Sequence, residues 1–239
     1  MKRIEIELSV AEHLAFDDAL IDAADRNPDA SESLRFWMAD RPAVVIGRSS
    51  PLAREVQMGF CRENHIPVYR RITGGQSVVI LPGCLMYSVL LSYRLRPELR
   101  MIDQAHRFVI GQNRQALAAI GVDCELSGTS DLTIDGRKFS GNSLRCKRHW
   151  MLYHGTFLID ADLAIISQCL KSPVRQPDYR SQRSHADFLT QIKTSAASMR
   201  TALQTVWDAR ELQSDLPLAA TKRLAVEKYA SADWLHRVP

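Results

Sequence analysis

Arg70-Arg71-Ile72-Thr73-Gly74-Gly75-Gln76-Ser77 sets two guanidinium groups against a Gly-Gly turn and then runs into an apolar strand, Val78-Val79-Ile80. Guanidinium groups stay charged at any working pH and grip phosphate or carboxylate oxygens through a planar fork of donors. Glycines lack a Cβ, so they bring backbone N–H groups close to an anion and tolerate positive φ. The segment predicts a pocket for a nucleotide or an activated acid. Read alone, it fits a hairpin with surface arginines equally well.

A second group of reactive side chains lies in Asp131-Leu132-Thr133-Ile134-Asp135-Gly136-Arg137-Lys138-Phe139-Ser140. Asp-Gly favours a two-residue type I′ turn. That turn sets Ile134 opposite Arg137, Thr133 opposite Lys138, Leu132 opposite Phe139 and Asp131 opposite Ser140. Alternation then gives Leu132, Ile134 and Phe139 one apolar face and Asp131, Thr133, Lys138 and Ser140 the other. The polar face is either solvated, as in many half-exposed antiparallel sheets, or a site. As a site, Lys138 is a point cation for an acyl or phosphoryl oxygen and Asp131 a Mg²⁺ ligand. Ser140-Gly141-Asn142-Ser143 adds a second glycine turn with polar neighbours.

The elements that must position these residues follow from apolar periodicity. A helix is expected over 11–24, where Leu14, Ala15, Ala19, Leu20 and Ala23 share a face, and strands over 34–38 and 43–47. A short helix over 54–64, a strand over 67–71, and strands 77–81 and 85–93 parted by Pro82-Gly83 come next. The clearest helix is 99–120, with Gly121 placed to terminate it. After it come a strand over 122–126, the Asp135-Gly136 hairpin and a strand over 151–159. Asp160 is positioned to cap a helix over 161–170. Residues 171–184 read as a polar loop, and the tail from Asp187 as two helices, the first with Met199, Leu203 and Val206 on one side. Strands in mostly hairpin-like succession with interspersed helices indicate α+β architecture with mixed or antiparallel sheets. No repeat or linker divides the chain, so the expectation is a single domain over 1–239, with a core over about 30–170 and a helical tail over about 186–239.

The composition is that of an ordinary globular chain: 239 residues, 46% hydrophobic, 24% charged. A net charge of +4 is too mild to announce nucleic-acid binding, and no basic recognition helix is present. Cys61, Cys84, Cys124, Cys146 and Cys169 are scattered, with no C-x-x-C pair, which disfavours a disulfide framework or a zinc knuckle. No apolar run has signal-peptide or membrane-helix length, so the expectation is a cytoplasmic protein with no membrane partner.

Several segments, taken in order, resemble the lipoate–protein ligase A family, within the fold group shared with biotin protein ligases and octanoyltransferases. They are Leu34-Arg35-Phe36-Trp37; Val44-Val45-Ile46-Gly47-Arg48; Arg62-Glu63-Asn64-His65-Ile66-Pro67-Val68-Tyr69-Arg70-Arg71-Ile72-Thr73-Gly74-Gly75; Leu126-Ser127-Gly128-Thr129-Ser130-Asp131-Leu132; Gly136-Arg137-Lys138-Phe139-Ser140-Gly141-Asn142; and His154-Gly155-Thr156-Phe157-Leu158. The resemblance implies a biotin/lipoate ligase-like α+β catalytic domain. It implies that Arg70, Arg71, Thr73, Gly74, Gly75, Gln76 and Ser77 wrap an activated lipoyl group and its phosphate. Lys138 would be the catalytic cation, and Ser140, Gly141, Asn142, His154, Gly155 and Thr156 would line the pocket. Asp131 would sit at Mg²⁺. The implied reaction joins lipoate or octanoate to ATP as an acyl-adenylate, then passes the acyl group to a lysine of an apo lipoyl domain of the glycine-cleavage H or dehydrogenase E2 type.

Two positions depart from the family pattern: Gln76 stands where the family loop has a third glycine, and Ile80 where a histidine is common. The accessory domain that bacterial ligases carry beyond this region is expected to be missing, which leaves a place for a separate accessory subunit. Two other readings stay open. One is an octanoyl or lipoyl transferase working through a cysteine thioester at Cys124 or Cys84. A branch of such enzymes keeps its thiol where Pro173-Val174 stands here. The other is a non-catalytic binder of lipoate or nucleotide.

Overall fold

The computed structural model describes residues 1–27, 29–173 and 176–238. Helix α1 (Val10–Arg26) begins at a capping box: the Ser9 hydroxyl accepts from the Glu12 amide, and the Glu12 carboxylate accepts from the Ser9 amide. Its buried face carries Leu14, Phe16, Leu20, Ile21 and Ala24, but also His13 and Asp17. The strands are β1 (Lys2–Ile4), β2 (Ser33–Trp37), β3 (Ala43–Ile46), β4 (Val68–Arg70), β5 (Val78–Ile80), β6 (Cys84–Ser92), β7 (Glu125–Ser127), β8 (Asp131–Ile134), β9 (Arg137–Cys146), β10 (Trp150–Leu158) and β11 (Glu211–Leu212). The further helices are α2 (Leu52–Glu55), α3 (Met58–Glu63), α4 (Ile102–Ala119), α5 (Ala164–Cys169), α6 (His185–Phe188), α7 (Ala196–Val206), α8 (Leu218–Leu224) and α9 (Ala232–Leu235).

The larger sheet has the order β11-β1-β2-β6-β10-β9-β8-β7 and the smaller one β4-β3-β5. Both are mixed: β1 runs parallel to β2 and β11, and β3 parallel to β4, while the other pairs are antiparallel. Side chains alternate along β6 and β10. Tyr87, Val89, Leu91, Tyr153 and Phe157 join Val109 and Leu117 of α4 and Met199 and Leu203 of α7 in one core. Leu90 and Leu152 point the other way, into a second core with α1, Val45 and Ile80. A third core joins β3 and β5 to Leu158, Ile166 and Phe188. Each fully buried aliphatic or aromatic side chain of this kind is worth about 1.5–3 kcal/mol over its exposed state.

The expected α+β class holds, and several details differ. β4 and β5 do not form a hairpin, because β3 lies between them. The Pro82-Gly83 turn crosses from the smaller sheet to the larger, with Gly83 at φ +85° and a Cβ there falling 1.8 Å from the Asp160 carbonyl oxygen. Asp160 therefore braces that turn and does not cap a helix; α5 starts later, where Asp162 accepts from the Ala164 amide. The helix expected over 54–64 breaks at Val56, which bridges to Leu170. The segment before α4 is a tighter 3-10 turn, Pro97–Arg100, and Gly121 ends α4 at φ +77°. The tail is not purely helical, since Glu211 and Leu212 return to pair with β1 at the sheet edge. The loop expected over 171–184 contains a 3-10 turn, Asp178–Arg180; Val174 and Arg175 lie outside the described residues.

Candidate active site

The type I′ turn forms as expected, with Asp135 at φ 51° and Gly136 at φ 67°. Register follows expectation only at first: Ile134 pairs with Arg137 and Thr133 with Lys138, but then the ladder shifts and Leu132 pairs with Ser140. The extra residue is Phe139, which is buried with Leu132 in the main core. The bulge changes the expected polar face. Thr133 and Ser140 are buried, and Thr133 shares a hydrogen bond with Ser127. Asp131 and Lys138 still meet, as a 2.8 Å ion pair open to solvent on one side. The other Asp131 oxygen accepts from the Tyr179 hydroxyl at 2.7 Å, a contact that burial and the adjacent carboxylate accompany with a strongly raised phenol pKa.

Cross-strand register explains how the rest of the polar groups gather. Arg35, Ser88, His154 and Ser143 occupy one row across β2, β6, β10 and β9. Asp17 of α1 takes the Arg35 guanidinium at 3.0 Å, the Ser88 hydroxyl at 3.1 Å and His154 Nδ1 at 3.0 Å. Burial alone would raise the Asp17 pKa, but Arg35 and the bonds from His154 and Ser88 hold it below the ordinary carboxylate value. On its other nitrogen, His154 Nε2 lies 2.8 Å from Thr73 Oγ1, which accepts from Arg71 Nε at 2.9 Å. Since Arg71 can only donate, the Thr73 hydroxyl is free to donate to His154 and His154 Nδ1 to Asp17. A directed chain of hydrogen bonds thus supports the glycine loop from inside the fold.

Arg71 shapes that loop. Its guanidinium donates to the carbonyls of Val45, Gly74 and Gln76, and burial brings its pKa down to about 10. Gly75 adopts φ +83°, and its carbonyl accepts from Ser50 Oγ. A Cβ on Gly47 would lie 1.8 Å from that same carbonyl oxygen. The next cross-strand row faces the opposite way. There Asn142 accepts from the Tyr87 hydroxyl at 2.6 Å and donates to the Ser130 carbonyl at 2.7 Å. Gly155 opposite leaves room for Asn142, because a Cβ there would sit 1.9 Å from its Oδ1. Gly141 likewise makes room for the Lys138 ammonium, which a Cβ would approach to 2.7 Å.

These groups open on a cavity of about 360 Å³. Of the residues expected at the site, Arg71, Gly75, Gln76, Ser77, Asp131, Lys138, Ser140, Gly141, Asn142, His154, Gly155 and Thr156 line it. The cavity continues between apolar walls that include Trp37, Val78, Ile80, Met86 and Phe188. Ile80, where the family resemblance has a polar residue, is 1% exposed and belongs to the second core.

Three expected residues do not line the cavity: Arg70, Thr73 and Gly74. Thr73 and Gly74 act from behind, Thr73 through His154 and Gly74 by accepting from Arg71 and Ser143. Arg70 requires a correction as an anion ligand, because its guanidinium is fully buried and committed to backbone carbonyls of Gly47, Arg48, Ser50, Trp234 and Leu235. Asp17, Arg35 and Tyr87 join these groups although no motif in the sequence announced them. The signal for Asp17 was a carboxylate on the apolar stripe of a helix, and for Arg35 a cation inside an apolar strand.

Residues 9–209 match the family model described as the lipoyl protein ligase A/B catalytic domain. Lipoate–protein ligase 1 of Staphylococcus aureus is 25% identical over 87% of this chain, which spans 66% of that relative's length. Octanoyltransferase LipM of Carboxydothermus hydrogenoformans is 26% identical over 96% of this chain and 95% of its own. In fold, the chain superposes on a structure from a bi-partite lipoate protein ligase and its E2 lipoyl domain of Thermoplasma acidophilum, with a TM-score of 0.83, 22% identity, and 98% and 94% of the two chains covered. A lipoate-protein ligase A bound with ATP aligns with a TM-score of 0.81, 22% identity, and 100% and 99% coverage. The matched span of the family model covers the cavity, the glycine loop and the Lys138 hairpin together, and on that ground the chain belongs to the lipoyl protein ligase A/B catalytic-domain family.

Proposed function

We propose that this protein is an ATP-dependent lipoate–protein ligase that forms lipoyl- or octanoyl-adenylate and passes the acyl group to a lysine of an apo lipoyl domain. The observation that carries this choice within the family is the position of the thiols. Among the described residues no cysteine lines the cavity that holds Lys138. Cys61, Cys84, Cys124 and Cys169 are buried elsewhere, and burial raises each thiol, Cys84 to about 11 and Cys169 to about 12. Cys146 is exposed at the far end of β9, away from Lys138 at its start. A thioester route needs a thiolate beside the acyl carbon. Pro173, in the segment where one transferase branch has its thiol, lines the cavity instead; Val174 beside it is outside the described residues.

The residues present suit adenylation. Joining a carboxylate to an α-phosphate brings two anions together, and the ammonium of Lys138, which lines the cavity, would offset their repulsion. The apolar walls take an alkyl chain, and the Gly75–Ser77 backbone borders the polar end. Holding both reactants in line lowers the barrier without a covalent enzyme intermediate. Among the described residues no group of three His, Cys, Asp or Glu side chains can hold a metal. The single carboxylate of Asp131 nevertheless fits Mg²⁺ carried on a nucleotide, which takes one or two protein carboxylates, phosphate oxygens and water. Mg²⁺ in that place would neutralise charge on the phosphates. Asp131 would then share its two oxygens, which carry about four lone-pair sites, among Mg²⁺, Lys138 and Tyr179. The ATP-bound neighbour and the neighbour studied with its E2 lipoyl domain support nucleotide and acceptor alike. A separate accessory subunit belongs to the same proposal.

The test gives the protein an apo lipoyl domain together with lipoate and Mg-ATP in one tube and an octanoyl-carrier protein in another, and weighs the acceptor. A mass gain that requires ATP supports the ligase. A gain from the carrier alone, lost in a Cys→Ala variant, sinks it.

A further inference from the structure

We infer that Trp234 and Leu235 are positioning residues for the glycine loop and act on it through Arg70. Arg70 ends β4 and leads into the loop. Its guanidinium joins two segments far apart in sequence. From one side it takes the carbonyls of Gly47 at 2.8 Å, Arg48 at 3.2 Å and Ser50 at 2.8 Å. From the other it takes Trp234 at 3.1 Å and Leu235 at 3.0 and 2.7 Å. The indole N–H of Trp234 returns a 2.8 Å bond to the Arg70 carbonyl, so main chain and side chain of Arg70 are both held.

The clamp is itself anchored. Ser231 caps α9 by accepting from the Trp234 amide. The Trp234 ring has Lys228 Nζ 4.2 Å and Arg237 Cζ 4.7 Å from its centroid, distances suited to cation–π attraction. Lys228 is tied in turn to Asp18 of α1 at 2.6 Å. Burial and the Arg237 charge lower the Arg70 pKa, countered by Glu55; the carbonyl partners supply the dipoles that keep the buried cation in place.

Two short routes lead from the clamp to the cavity. In the first, Arg70 fixes Ser50, and Ser50 Oγ donates to the Gly75 carbonyl at 3.1 Å. In the second, Arg70 sets the backbone of Arg71, whose amide bonds Ile46 and whose guanidinium holds the Gly74 and Gln76 carbonyls. Gly75 and Gln76 line the cavity while no atom of α9 does. Residues at 234–235 therefore govern a substrate loop that they do not share a surface with.

The structural half of this inference stands alone; its kinetic half rests on the ligase reading. Trp234→Phe keeps an aromatic ring at the position and removes the indole N–H together with the five-membered ring that carries it. In this variant without ligand, amide hydrogen exchange across 71–77 is expected to quicken about fivefold, the loss of one neutral hydrogen bond, with the 131–140 hairpin unchanged. If that variant does not fold, Ser231→Ala, which removes only the α9 cap, is read in the same way. In the acceptor assay, KM for ATP should rise with kcat nearly unchanged, since the loop binds but does not react. Unchanged exchange across 71–77 overturns the inference whatever the activity. Faster exchange without any ATP-dependent activity in the wild-type chain upholds the clamp and defeats the ligase reading instead.

Discussion

Gly155→Ala is the substitution whose outcome the geometry constrains most tightly. Gly155 lies in β10 with no left-handed φ to protect, so the backbone itself accepts alanine. The space does not. The new methyl would fall 1.9 Å from Asn142 Oδ1 and 2.9 Å from the Gly141 carbonyl oxygen. Asn142 has to move, breaking its bonds to the Tyr87 hydroxyl at 2.6 Å and the Ser130 carbonyl at 2.7 Å. Overpacking costs about 1–3 kcal/mol, and each displaced neutral hydrogen bond about 1 kcal/mol more. The loss is therefore roughly 4 kcal/mol. In a chain of 239 residues, each kcal/mol lowers Tm by about 2–4 °C, so the variant should melt roughly 10 °C early. Circular dichroism on heating measures this. Asn142→Ala in the same background removes the clashing amide, so adding Gly155→Ala to it should cost much less than in the wild type, with only the Gly141 carbonyl oxygen at 2.9 Å left to yield. Gly59→Ala serves as the control, since nothing lies within 4 Å of a Cβ there. A Gly155→Ala protein that melts within 2 °C (about 1 kcal/mol or less) of the wild type would refute the packing argument.

Lys138→Ala should abolish acyl transfer while costing about 1 kcal/mol or less in urea unfolding, because its ion pair with Asp131 is partly exposed. Gly47→Ala should destabilise and loosen the glycine loop, since the Gly75 carbonyl occupies the space of its methyl; proteolysis within 71–77 reports it. His13 is buried against Trp37 with its Nδ1 facing Arg35, and burial, then Arg35, depress its pKa to about 3. The unfolded chain takes up that proton near 6.5 and the folded chain only near 3, so stability rises with pH between those values and is flat above. Urea unfolding at pH 5 should then show roughly 2 kcal/mol less stability than at pH 6.5, and His13→Phe should flatten the slope. Chelation with EDTA should stop ATP-dependent acylation and restore it on Mg²⁺ addition, leaving Tm unmoved.

Much of this site could be read from residue types and local rules. Asp-Gly specified the turn that brings Lys138 near Asp131, and alternation assigned Leu132 and Phe139 to the core. The bulge at Leu132–Thr133 was not legible, because it depends on Phe139 finding space in a core built by α4 and β10. Arg70 shows a different limit. An arginine beside two glycines has the same sequence signature whether it meets phosphate or carbonyl oxygens, and here residues more than 160 positions away decide. Asp17, Arg35, Ser88 and His154 were invisible as a group, since only the register of β2, β6 and β10 beneath α1 aligns them. The break after α2 and the β11 edge strand likewise follow from tertiary pairing and not from local propensity.

The cavity around Lys138 is proposed to activate an acid with ATP. Exchange of labelled pyrophosphate into ATP reads that step alone, without an acceptor protein. Lipoate and Mg²⁺ should together elicit exchange in the wild-type chain, and Lys138→Ala should lose it while still folded. Wild-type protein that shows no lipoate-dependent exchange, yet acylates a lipoyl domain from an octanoyl-carrier protein, would contradict the account.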